Sequence, residues 1–172
     1  SGYINIYGSL VAEGTAAAPI VITSDHDITG GSPAAGDWAT VRVHGGGSAS
    51  FDYVEMRYGG YDSGEGMINA YEGALLSVTN SGLEYSEDQG IYSEAVDPVI
   101  VGNTINECGS YGIKVNNNTS GTQIIPEIRD NVINNCITPI FINGSSTNGM
   151  SGTRTITGNT GSGNSYNRIL LS

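Results

Sequence analysis

Lysine occurs once in these 172 residues, and Leu and Gln are scarce as well. With so few of the residues that favour helices, and no stretch of period 3.6 long enough to form one, a helical bundle is excluded. Six Lys and Arg stand against 17 Asp and Glu, giving a net charge of −11. A surface that acidic repels nucleic acid and anionic membranes. It also repels polyanionic sugars unless a divalent cation bridges the two. No apolar run reaches the roughly 18 residues that a membrane-spanning helix needs. Two cysteines, Cys108 and Cys136, are too few for a disulfide framework; no CxxC is present, and His26 and His44 lie far from them in sequence.

What is abundant is Gly (26 residues), Asn, Ser, Thr and Tyr. Such a composition suits many short strands separated by many turns. The glycines have no three-residue period, which excludes collagen. With 38% hydrophobic and 13% charged residues, the chain is not a disordered one. The near-absence of Lys beside this wealth of Asn, Gly and Tyr reads as an exported protein, secreted or held at a cell surface. The sequence begins inside a patterned segment, Tyr3–Ile6, as a mature product or a piece of a longer protein does. Residues 1–172 read as a single domain.

A repeat runs through the chain. Ile100-Val-Gly-Asn103-Thr-Ile105-Asn-Glu-Cys108 is followed by Gly112-Ile113-Lys-Val115. The same offsets recur from Ile128 through Asn131, Ile133 and Cys136 to Ile140, and from Ile156 through Asn159 and Asn164 to Ile169. Upstream, Val78, Ser81 and Leu83 lead to Gly90-Ile91, and Phe51 and Met56 lead to Gly66-Met67. Each unit, about 22 to 29 residues long, holds short strands that cannot bury an apolar face alone. Stacked units can, because like residues then lie about 4.8 Å apart. Three inward ladders follow: Phe51/Val78/Ile100/Ile128/Ile156, Met56/Leu83/Ile105/Ile133, and Val41/Met67/Ile91/Ile113/Ile140/Ile169. Asn103, Asn131 and Asn159, with Ser81 above, form a polar row at a turn; Asn tolerates the left-handed conformation, and its amide satisfies its neighbours one coil away. The expected fold is therefore all-β, a right-handed parallel β-helix of about six to seven coils. A β-sandwich is the main rival. Cys108 and Cys136 fall on successive coils, as a disulfide or as a buried cysteine ladder.

The pattern resembles the parallel β-helix repeats of secreted bacterial proteins, a group that includes pectate-lyase-like and carbohydrate-binding solenoids. The segment Gly8–Thr15, Pro19–Ser24 and Gly36–Trp38 resembles a coil common in such surface proteins. The resemblance covers almost the whole chain and speaks to fold more than to function.

Function is expected in the loops Ser24–Asp37, Tyr58–Glu65, Asn116–Thr122 and Asn143–Thr153. Asp62, Glu65, Glu87 and Asp88 occupy corresponding turns of successive coils, with Glu84 close by. Like charges so placed suit calcium, which takes hard oxygen ligands. A solvated acidic surface is the competing reading. A weaker cation set is Asp25, His26, Asp27 and Asp37. Tyr92 is expected to point outward, level with Arg42, Lys114 and Phe141, and Tyr58 and Tyr85 to align on neighbouring coils. Flat aromatic faces beside hydrogen-bonding groups stack on sugar rings. Catalytic signatures are missing: no cation sits in a lyase motif, and the adjacent Glu87 and Asp88 would face opposite sides of a strand. The expected function is a non-catalytic extracellular module that binds polysaccharide, with calcium as the candidate cofactor. The alternatives are a stalk, adhesin or fibre subunit that self-associates through its solenoid ends, and a polysaccharide lyase or hydrolase.

Overall fold

Each repeat unit folds as one coil of three short strands. The computed structural model describes residues 2–119, 123–144, 154–166 and 169–171. The first sheet contains β1 (Tyr3–Ile6), β4 (Thr40–Val43), β7 (Gly66–Ala70), β10 (Gln89–Glu94), β13 (Tyr111–Asn117), β16 (Thr138–Gly144) and β18 (Ile169–Leu171). The second contains β2 (Ser9–Glu13), β5 (Ser48–Asp52), β8 (Leu75–Thr79), β11 (Val99–Val101), β14 (Glu127–Arg129) and β17 (Thr155–Thr157). The third contains β3 (Ile20–Ile22), β6 (Val54–Arg57), β9 (Gly82–Ser86), β12 (Thr104–Cys108) and β15 (Val132–Asn134). Every strand pair in these sheets is parallel, and each strand pairs with the strand one coil away. The chain is a parallel β-helix. Its one helix among the described residues is a single turn, α1 (Asp25–Ile28), capped by Ser24.

The core lies along the axis, where the three sheets face one another. Two of the expected ladders stand residue for residue: Phe51, Val78, Ile100, Ile128 and Ile156 in the second sheet, and Met56, Leu83, Ile105 and Ile133 in the third. The first-sheet ladder is corrected at one position. Ile68, not Met67, pairs with both Val41 and Ile91. Gly66 stands opposite Gln89, so Met67 comes level with Gly90, and both Met67 and Ile68 are buried in the core.

The asparagine row closes the turn between the second and third sheets. Asn131 Nδ2 donates to Ile100 O (2.9 Å) and Asn159 Oδ1 (2.8 Å), while its Oδ1 accepts from Asn103 N and Nδ2, each at 3.0 Å. Asn103 repeats the pattern, accepting from Ser81 N and donating to Val78 O. The left-handed residue is not the ladder Asn but the one before it: Asn80, Gly102, Asp130 and Gly158 all have positive φ. A second left-handed row, Tyr58, Tyr85, Glu107, Asn135 and Gly163, makes the corner between the third and first sheets. Behind that corner Cys108 and Cys136 are buried as free thiols. The hydrogen bond with Cys136, together with burial, holds the Cys108 thiol well above the ordinary cysteine range.

Candidate functional site

Period-two alternation turns every second residue of the first sheet outward. Asn5, Arg42, Asn69, Tyr92, Lys114 and Phe141 form one outward row, by direct pairing from β1 to β16. The expected alignment of Arg42, Tyr92, Lys114 and Phe141 is therefore present. Two strand positions further on runs a second row, Tyr7, His44, Tyr71 and Glu94, each following a strand residue already in register. Three of the four residues in the second row carry rings, and two of the six in the first. Tyr7 stacks on His44 (4.3 Å between centroids, 8° between planes), His44 on Tyr71 (6.0 Å), and Tyr71 meets Tyr92 edge-on (6.4 Å). Lys114 Nζ lies 5.4 Å from the Tyr92 ring and 5.2 Å from the Tyr111 ring, and Tyr111 tilts against Phe141 at 5.1 Å. The rings thus form a nearly unbroken stripe across six coils. Tyr7 closes one end and is 71% exposed.

Polar groups accompany the stripe. Tyr92 Oη donates to Glu94 Oε2 (2.5 Å) and accepts from Asn116 Nδ2 (3.4 Å). Burial, and then the bond to Glu94, push the Tyr92 phenol up to about 12. Tyr71 Oη donates to Glu65 Oε1 (2.5 Å), and its phenol is raised by burial and by that carboxylate. Asn116 is buried, and its Oδ1 has no partner among the described residues. The raised phenols of Tyr71 and Tyr92 stay neutral at neutral pH, and the Lys114 amine stands between the Tyr92 and Tyr111 rings.

The expected calcium ligands Asp62, Glu65, Glu87 and Asp88 do not converge. Asp62 and Glu65 fold back over the first sheet and grip Arg42: Nη2 donates to Asp62 Oδ2 (2.6 Å) and Nε to Glu65 Oε2 (2.9 Å). Tyr3 adds a bond to Asp62 (2.7 Å), and its ring packs under the guanidinium at 4.4 Å. Arg42 thus supplies the positive charge that calcium was expected to bring. Asp88 accepts from Gly64 N (2.5 Å), bracing the same loop. Glu87 leaves in another direction, against Gly36, where a Cβ on residue 36 would come within 2.1 Å of its Oε2. Among the described residues no three Asp, Glu, His or Cys side chains are grouped to hold a metal ion. Replacing Arg42 with Gln leaves two half-buried carboxylates without their charged donor. It is expected to cost about 2 kcal/mol and to make the 59–65 loop a cleavage site in limited proteolysis; an intact loop in the variant would count against this role.

The second cation set is also dispersed. Ser24 Oγ donates to Asp37 Oδ2 (2.5 Å) and accepts from His26 N (3.1 Å), while His26 Nδ1 lies 3.2 Å from the same Asp37 oxygen. Serine and histidine both address the aspartate rather than each other, so no hydroxyl proton passes to the imidazole. The trio caps α1 and fixes the loop, and the bond from Ser24 holds the Asp37 carboxyl below its usual range. Asp27 instead accepts from Thr23 (2.8 Å) and lies 3.7 Å from Arg57.

Tyr58 and Tyr85 do align, with rings 5.0 Å apart and planes within 6°. They sit on the left-handed corner, away from the stripe. A groove of about 540 Å³ runs past them, walled by Pro33, Ala34 and Ala35 and continuing over Glu107 and Asn135. Another groove, of about 430 Å³, lies over Gly82 on the third sheet. Arg57 fills its charge requirement, bonded to Glu55 and 3.7 Å from Glu84.

Sequence reasoning missed Tyr7, His44, Tyr71 and Tyr111. The first three lie three residues beyond inward ladder positions Ile4, Val41 and Ile68, an offset that would have revealed them. The expected loops over 116–122 and 143–153 fall partly outside the described residues. The chain matches no protein-family model, no curated protein and no solved structure.

Proposed function

We propose that this β-helix is a non-catalytic polysaccharide-binding module that works outside the cell, on the resemblance to secreted carbohydrate-binding solenoids. The observation that carries the reading is the stripe of aromatic rings, Tyr7 to Phe141, on one face of the first sheet. Neighbouring rings in contact lie 4.3 to 6.4 Å apart along the axis, a spacing of the order of one sugar unit. Tilted rings such as Tyr111 and Phe141 offer partial faces to the C–H side of a sugar, and Tyr hydroxyls and Lys114 offer hydrogen bonds to its rim. The net charge of −11 disfavours polyuronates and favours neutral or cationic glycans. Affinity electrophoresis through gels containing soluble neutral glucans or xylans tests the reading. Retardation is expected with calcium chelated as well as with calcium present; equal mobility across all the polysaccharides would sink it.

A second reading rests on the edge formed by β1, β2 and β3, each of which pairs on one side only among the described residues. Ile4 and Ile20, both at inward ladder positions, are exposed there. Such an edge accepts a further coil, so end-to-end association is the structural alternative. Sedimentation velocity over a hundredfold concentration range separates the two, since a stalk or fibre subunit would form species that grow with concentration.

A further inference from the structure

The corner groove differs in chemistry from the stripe. Its floor is a descending row. Tyr58 and Tyr85 stack, and the next coils place the shorter Glu107 and Asn135 at the same corner position, so the groove opens where the aromatic pair ends. Tyr85 is 39% exposed at that step. Both tyrosines hold left-handed backbones (φ 64° and 59°), a conformation that costs a bulky residue energy and that local structure must therefore impose. Opposite stands the apolar wall Pro33–Ala35, held by the bond from Ala34 N to Asp37 (3.1 Å) and by Gly36 N on Gly59 O (3.2 Å). Glu87 and Glu107 both line the groove. Neither pairs with a cation among the described residues, which is equally true of Glu13, Asp25, Asp52, Glu72, Asp88, Glu94 and Asp97; what sets Glu87 and Glu107 apart is their place beside an exposed tyrosine ring in one groove.

From these features we infer that the corner groove is a binding site for a glycan carrying protonated amines, an amino-sugar unit. The inference rests on the polysaccharide reading and names the sugar class of a second site. Exposed ring and apolar wall accept the two faces of a sugar ring. The two carboxylates accept an ammonium, and an ammonium against a tyrosine face gains further attraction. Charge complementarity selects the occupant: a chain of net charge −11 draws cations toward a cleft that carries unpaired negative charge. A basic peptide shares the charge but lacks the C–H face that a sugar ring presents to a tyrosine.

Calorimetric titration with oligomers of glucosamine and of N-acetylglucosamine of equal length tests this, at a pH where the free amines are protonated. The free-amine oligomer is expected to bind at least tenfold more tightly. That preference is expected to vanish in Glu87→Gln/Glu107→Gln and to persist in Glu13→Gln/Glu72→Gln, which removes equal charge from exposed positions elsewhere. Tyr85→Ala is expected to weaken both oligomers. Equal affinity for the two oligomers, or equal loss in groove and control variants, overturns the amine site while leaving the polysaccharide reading intact. An oligolysine of matched charge binding as tightly as the glucosamine oligomer overturns the sugar class. Binding of no glycan of any kind removes the polysaccharide reading itself, and this inference with it.

Discussion

Replacing Asn131 with Leu is expected to lower the unfolding free energy by about 3–5 kcal/mol. Leucine has the same branched heavy-atom skeleton as Asn, but its methyl groups are bulkier than the amide, so some overpacking adds to the polar loss. Asn131 is fully buried and makes four side-chain hydrogen bonds, to Ile100 O, Asn159 Oδ1 and the two nitrogens of Asn103. The variant strands a buried carbonyl and a buried N–H between coils. Each such group costs its own desolvation penalty, not merely the net value of one bond. Asn106→Ala is the control. It removes one bond, from Asn135 Nδ2 at 3.0 Å, at a half-buried site and is expected to cost about 1 kcal/mol or less. Urea unfolding of the two variants measures the difference. Equal, small losses would show that the ladder is incidental to the stacking of coils.

Phe51→Ala is expected to cost a similar 3–5 kcal/mol through a different mechanism. Phe51 is fully buried and sits in the second-sheet ladder between Ala12 and Val78. Each coil packs only on the coils beside it, so a void in one layer cannot be refilled from elsewhere in a large core. Phe51→Leu keeps most of the volume and is expected to recover at least half of the loss. If the two variants unfolded at the same denaturant concentration, the layer would be collapsing around the cavity.

Most of the fold was legible because stacking repeats residue types at fixed offsets. Two of the three inward ladders and the asparagine row could be read from spacing alone. The first-sheet ladder slipped by one residue at Met67 because the 59–65 insertion breaks the count and places Gly66 opposite Gln89. The left-handed conformation was assigned to the ladder Asn; it belongs to the preceding residue, because the ladder Asn needs an inward side chain to reach the neighbouring coils. The site was less legible. Outward alignment of Arg42, Tyr92, Lys114 and Phe141 follows from register. The direction in which a loop folds does not, and the 59–65 loop folds onto the sheet toward Arg42 instead of toward Glu87. A carboxylate cluster in sequence therefore became an ion-pair network in space. Tyr7, His44 and Tyr71 escaped notice because they belong to the first coils, where the Ser24–Asp37 loop interrupts the repeat.

The chain divides into residues that hold coils together and a face of rings that is open to a ligand. Titration of the intact chain and of Tyr111→Ala/Phe141→Ala with one soluble neutral polysaccharide tests that division most directly, with unfolding followed on the same samples. Both proteins are expected to be folded under assay conditions; the double variant is expected to lose about 3 kcal/mol of stability, for two half-buried rings and the contact between them, and its affinity to fall at least tenfold. A folded double variant that binds as tightly as the parent would contradict the account, because the rings would then serve only to pack one coil on the next.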